Sequence, residues 1–205
     1  GAFMRKNEIL FAGTKIFTLL LTVVVFATLV NGQVARGADE FKFSNEGSKI
    51  TFVGSNVGAE KGHEGGFEKF SGVLALDKED FTKSSLAVLI DMKSITSDSR
   101  GLTGHLKNAD FFEVDKYESA SFHSTKITKG EKEGAYTLAG KMKIKEVEKE
   151  IQVPVTVVIG EKEVTIKGTL NLDRTQFGIT YGTSKIDKNV PVTIDLKASR
   201  AETKK

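Results

Sequence analysis

The 205-residue chain has no cysteine and no tryptophan, only three histidines, and no surplus of charge beyond its first forty residues. The missing cysteine excludes disulfides, thiol nucleophiles and thiolate metal sites. It also lets a chain enter an oxidising compartment without pairing hazards. His63, His105 and His123 form neither a His-x-His nor an HExxH pair, so a metal site would need distant segments to converge. Of the 30 basic and 27 acidic residues, four basic and one acidic lie within residues 1–38, which leaves 26 of each in residues 39–205. A neutral body lacks the clustered positive charge that nucleic acid requires, and none is expected as a partner. No Gly-x-Ser-x-Gly elbow or P-loop occurs, and the glycines at 62, 65 and 66 lack the lysine and following helix of a phosphate cradle. Glu79/Asp80 and Glu146/Glu148 sit in hydrophilic, turn-like surroundings and read as solvated surface charge, since acid–base work needs burial to move a pKa. No catalytic residue, metal or cofactor is assigned.

What is present begins with a leader. Met4 is followed by Arg5, Lys6 and Lys15, then by fifteen uncharged residues from Ile16 to Val30. A membrane span needs about 20 apolar residues, whereas a signal-peptide core needs about 7–15. The run fits a cleaved signal over residues 1–38 better than a retained anchor. Val30-Asn31-Gly32 and Ala35-Arg36-Gly37 are both candidate cleavage regions, and Gly1-Ala2-Phe3 reads as a cloning remnant. The expected location is periplasmic or secreted.

The body, residues 39–200, reads as strand after strand. Lys49–Val53 alternates, and Ser85–Met92 is so apolar that burial on more than one face is expected. Gly58–Gly66 reads as a loop at a barrel mouth. Strand signals resume at Ser119–Lys129, Tyr136–Lys145, Glu150–Ile159, Glu163–Asn171, Gln176–Tyr181 and Val190–Ser199, joined by short turns. One helical segment interrupts them, capped by Asp98 or Ser99 and carrying Leu102, His105 and Leu106. The expectation is an all-β fold, an antiparallel barrel of about eight strands with one short helical segment and a frayed tail at 201–205. Fourteen phenylalanines without a tryptophan suggest a smooth apolar interior. Asp110-Phe111-Phe112 reads either as core with a capping acid or as a plug facing a cavity. Arg174 reads either as a turn arginine paired with Asp173 or as a cation at the barrel rim.

Six pieces in order resemble the YceI-like family. They are Phe52-Val53-Gly54-Ser55; Gly62-His63-Glu64-Gly65-Gly66-Phe67-x-x-Phe70-x-Gly72; Ile90-Asp91-Met92-Lys93-Ser94-Ile95; Gly104-His105-Leu106-Lys107-Asn108-Ala109-Asp110-Phe111-Phe112-Glu113-Val114-x-Lys116-Tyr117; Phe122-His123-Ser124-Thr125; and Arg174-x-x-Phe177-Gly178-Ile179. The resemblance spans Phe43 to Ala198. It implies a lipocalin-like barrel that holds a polyisoprenoid chain, such as a quinone tail or a prenyl phosphate, in the periplasm and without an agreed reaction. On that reading Phe52, Phe67, Phe70, Val88, Ile90, Phe111, Phe112, Phe122, Ile144, Phe177 and Ile179 line the interior. His63, His105 and Arg174 meet the polar end of the lipid. Transient membrane contact and a monomer or homodimer are expected. Two rival readings stand beside it: a ligand-free interaction module with a packed core, and an enzyme in which His63 and His105 act as acid and base.

Overall fold

The computed structural model describes residues 39–200; the expected leader and tail lie outside the described residues. Eleven strands follow in chain order: β1 (Asp39–Ser44), β2 (Lys49–Gly54), β3 (His63–Phe67), β4 (Phe70–Leu76), β5 (Ser85–Asp91), β6 (Ile95–Ser97), β7 (Ser119–Lys129), β8 (Ala135–Ile144), β9 (Val147–Ile159), β10 (Glu163–Asp173) and β11 (Asn189–Arg200). One α-helix, α1 (Arg100–Lys107), lies between β6 and β7 among the described residues.

Strand order resolves this count into eight walls. β1, β4, β5, β7, β8, β9, β10 and β11 form a closed antiparallel barrel, sealed where Phe41 and Lys42 pair with Arg200 and Ser199. The first three walls are broken. β2 continues β1 along β11, β3 pairs with β2 just before β4 pairs with β1, and β6 extends β5 past a 3₁₀ turn at Met92–Ser94 to pair with β3. Closure hides backbone edges that would otherwise recruit other strands.

The two ends of the barrel differ. Lower connections are mostly tight, at residues 130–134 and 160–162, with Phe81 of the 3₁₀ turn Phe81–Lys83 tilted against Tyr136 at 4.7 Å between ring centroids. Upper connections are longer: residues 55–62, the segment 98–118 bearing α1, and residues 174–188. The β8–β9 turn at the same end is short, with Lys145 at φ 55°. Helix α1 contains two glycines and is a weak helix former on its own. It is fixed instead by the Ser99 side chain, which accepts from the Leu102 N–H, and by burial of Leu106.

Three expectations need correction. Gln176–Tyr181 is not a strand: the Asp173 carboxylate accepts from both the N–H and the hydroxyl of Thr175, starting a 3₁₀ turn over Arg174–Phe177 that ends at Gly178 with φ 75°. Local side-chain bonds outcompete the ladder there. The apolar run of β5 is buried on one face: Leu86, Val88 and Ile90 point inward while Leu89 is 45% exposed. The glycine-rich stretch is a loop only as far as residue 62, for His63–Phe67 pairs with β2 and β6.

Candidate functional site

Alternation along the long strands turns one row of aliphatic side chains into the lumen. Fourteen residues, all apolar, enclose a cavity in the middle of the barrel. They are Leu86, Val88 and Ile90 on β5, Phe122 on β7, Leu138 and Met142 on β8, Ile151 and Val153 on β9, Leu170 and Leu172 on β10, Val192, Ile194 and Leu196 on β11, and Ile50 on β2. The unfilled space is about 610 Å³ including its open part, and about 90 Å³ of that admits the centre of a water molecule. An apolar space of this kind offers water no partners and favours hydrocarbon.

The cavity lies between two packed layers. Below it, Phe41, Leu74, Leu76, Phe81, Val164, Ile166 and Ala198 are buried, and none borders the cavity. Above it, Leu106, Phe111, Val114, Phe177 and Ile179 form a roof carried by connections rather than strands. Fully burying each such side chain contributes roughly 1.5–3 kcal/mol.

Of the residues expected to line the interior, Val88, Ile90 and Phe122 border the cavity. Phe70, Phe111, Ile144, Phe177 and Ile179 are buried in the core around it, and Phe52, Phe67 and Phe112 pack against that core partly exposed. Phe52 and Phe67 meet each other at 5.9 Å between centroids. The other eleven wall residues carry no aromatic ring and lie outside the expected lining. Their signal was present as every-second-residue aliphatics on β9, β10 and β11.

The polar candidates do not converge on the cavity. His63 Nδ1 lies 2.9 Å from an Asp98 carboxylate oxygen, and His105 Nε2 lies 2.9 Å from one of Asp110. Each imidazole has its own acid, and neither borders the cavity. His105 also sits edge-on to Phe111 at 4.9 Å and to Tyr181 at 5.1 Å, which ties α1 to the 174–188 connection. Arg174 must be corrected from rim cation to buried clamp. It is 5% exposed, and four of its N–H groups donate to the carbonyls of Asp187, Ile179, Tyr181 and Ile186. Burial draws its pKa below the ordinary value, opposed by Asp173 and Asp187. Guanidinium stays protonated under such conditions.

Further bonds fasten the roof to the walls. Lys145 Nζ donates to the Phe111 carbonyl at 3.2 Å, and the Tyr117 hydroxyl donates to Glu146. That bond and Lys116 hold the Glu146 carboxyl below its ordinary range. Lys93 lies 2.6 Å from Glu118 and lowers that acid likewise.

Comparison with known proteins gives one consistent result. The YceI-like domain model matches residues 41–198. A UPF0312 protein of Vibrio cholerae is 28% identical over 166 residues, covering 78% of this chain and 87% of its own. BcnA of Burkholderia cenocepacia superposes with a TM-score of 0.70 at 26% identity, over 77% of this chain and 99% of that one. A polyisoprenoid binding domain from Saccharophagus degradans, implicated in plant cell wall breakdown, gives 0.63 at 15% identity over 80% and 99%. At that identity the likeness is one of fold.

Proposed function

The chain belongs to the YceI-like family, and we propose from this that its barrel holds an isoprenoid-type lipid, a polyprenyl chain or quinone tail, as a binding protein rather than an enzyme. The observation that carries the reading is the cavity wall of fourteen apolar side chains. Burial of hydrocarbon yields about 0.8 kcal/mol per methylene, so a few isoprene units suffice for useful affinity without any positioned polar group. The polyisoprenoid binding described for the Saccharophagus degradans domain of the same fold supports that ligand class. Carriage, storage and stress protection all need no more than such a container.

Export to the periplasm or beyond is part of the proposal. The basic and then apolar opening of the sequence supports it, as does the lack of cysteine. No helix among the described residues is long and apolar enough to cross a membrane.

The test is native mass spectrometry with organic extraction on residues 39–205 purified from their own host without detergent. A bound species of isoprenoid mass is expected. A clean apo mass that persists after incubation with quinones and prenyl phosphates would transfer the reading to a ligand-free interaction module.

A further inference from the structure

The ladder between β9 and β10 stops halfway up the barrel. It runs from Val164↔Ile159 to Gly168↔Val155 and goes no further. Each strand nevertheless stays paired on its far side, β9 with β8 as far as Val147 and β10 with β11 as far as Asp173. The next residue up β9 is Pro154, which has no N–H to donate. At the same level the backbones are pressed together, since a Cβ on Gly168 would stand 2.5 Å from the Pro154 carbonyl oxygen.

Above this point no ladder joins the two strands over Thr169–Asp173, a window about 16 Å long at the usual rise per residue. The turn Arg174–Phe177 lies against β9 and closes its top. Both margins carry cavity wall, Ile151 and Val153 on β9 and Leu170 and Leu172 on β10. Gln152 and Asn171 edge it on the outer face, where both are exposed. A further unpaired stretch of wall, between β6 and β7, is occupied by α1 and the segment after it, with Met92 N–H donating to the Glu118 carbonyl. At the β9–β10 window no helix intervenes.

Lys149 stands at the margin on the lumen face. Its register partner on β8 is the wall residue Met142, and directly opposed residues of an antiparallel pair project to the same side. Lys149 is exposed, so its ammonium can meet solvent while its stem follows apolar wall.

We propose that the window between β9 and β10 is the port through which an isoprenoid tail enters the cavity, with the lipid's oxygen-acceptor head held outside by Lys149. The inference rests on the lipid-holding reading. Entry from below would dismantle a packed floor, and entry from above would break the Arg174 clamp and the ring contacts of His105. Passage through the window breaks no ladder bond, and past Gln152 and Asn171 the groups met are the aliphatic side chains of the wall.

Because the chain has no cysteine, single thiols can be placed at will. Asn171→Cys puts one at the window margin and Val57→Cys puts one on the exposed 55–62 connection. Each variant is capped with a polymer-bearing maleimide, and release of farnesyl phosphate and of farnesol into excess lipid vesicles is timed. Each capped variant is compared with its own uncapped form. Capping at 171 should slow release at least tenfold and capping at 57 should leave it unchanged. Slowing by the cap at 57 alone, or by neither cap, overturns the port. Lys149→Ala should weaken farnesyl phosphate about tenfold and farnesol less than twofold; equal loss of both overturns the head-group contact. If unmodified protein binds neither probe, the lipid-holding reading itself falls and the port falls with it.

Discussion

The ring of Phe52 on β2 lies across Gly65, its direct partner on β3, in space that any Cβ at position 65 would occupy. The same device recurs twice. Phe43 covers its partner Gly72, and Phe122 covers Gly140 on the neighbouring strand. In each case a missing side chain lets a ring lie along the wall. For Phe122, a wall residue, this leaves the lumen open.

Gly65→Ala is therefore expected to destabilise the barrel by about 1–3 kcal/mol through overpacking, read as a lower denaturant midpoint by circular dichroism. Adding Phe52→Leu should restore part of the loss. The remainder should persist, because the Thr96 carbonyl oxygen would also stand 2.8 Å from the new Cβ. Strict additivity of the two changes would refute the pairing.

Arg174→Lys should cost at least about 2 kcal/mol, since an ammonium cannot reproduce a planar fork and leaves buried carbonyls unpaired. Amide exchange over residues 178–188 should accelerate together with the loss. Wild-type protection in that segment would show that the clamp does not hold it.

Acid should loosen the barrel at identifiable places. Bonds from Lys78 and then Arg200 hold the Asp39 carboxyl below its ordinary range. Since the folded pKa is the lower one, this stabilisation is complete above the unfolded value and disappears as pH falls through the folded value. Wild type should melt above Asp39→Asn at pH 7, and the gap in Tm should close below about pH 4. A gap that persists in acid would refute the ionic origin.

Val153→Phe should fill part of the cavity without introducing polarity. Stability should change by less than about 1.5 kcal/mol while retained lipid drops at least tenfold. Undiminished lipid would show that the hydrocarbon lies elsewhere.

The barrel was legible in the sequence because its long strands alternate cleanly and their turns are short. The Ser99-capped helix was legible because its start has a local chemical signature. Two kinds of feature escaped. Gln176–Tyr181 carries strand-like residues, yet the Asp173–Thr175 bonds and the demand of Arg174 for carbonyls bend it into turns. The breaks at β1/β2, β3/β4 and β5/β6 depend on which neighbour each half pairs with, and local pattern does not encode that. The cavity wall was legible only in part. Phe111 and Phe177 are as apolar as Leu170, and whether a side chain roofs the cavity or borders it is decided by its height in the barrel.

Asp39 and Arg200 form an ion pair beside the Phe41↔Arg200 pairing, so the first and last described residues leave the barrel together, at the end opposite α1. A short linker could join them, and new termini could be cut within residues 58–61, beyond the Asn56↔Ile186 bridge, giving a circular permutant that keeps every ladder intact. Attached to a bead or electrode through a linker beside Asp39 or Arg200, the barrel would stand with α1 and the proposed β9–β10 port facing the solution.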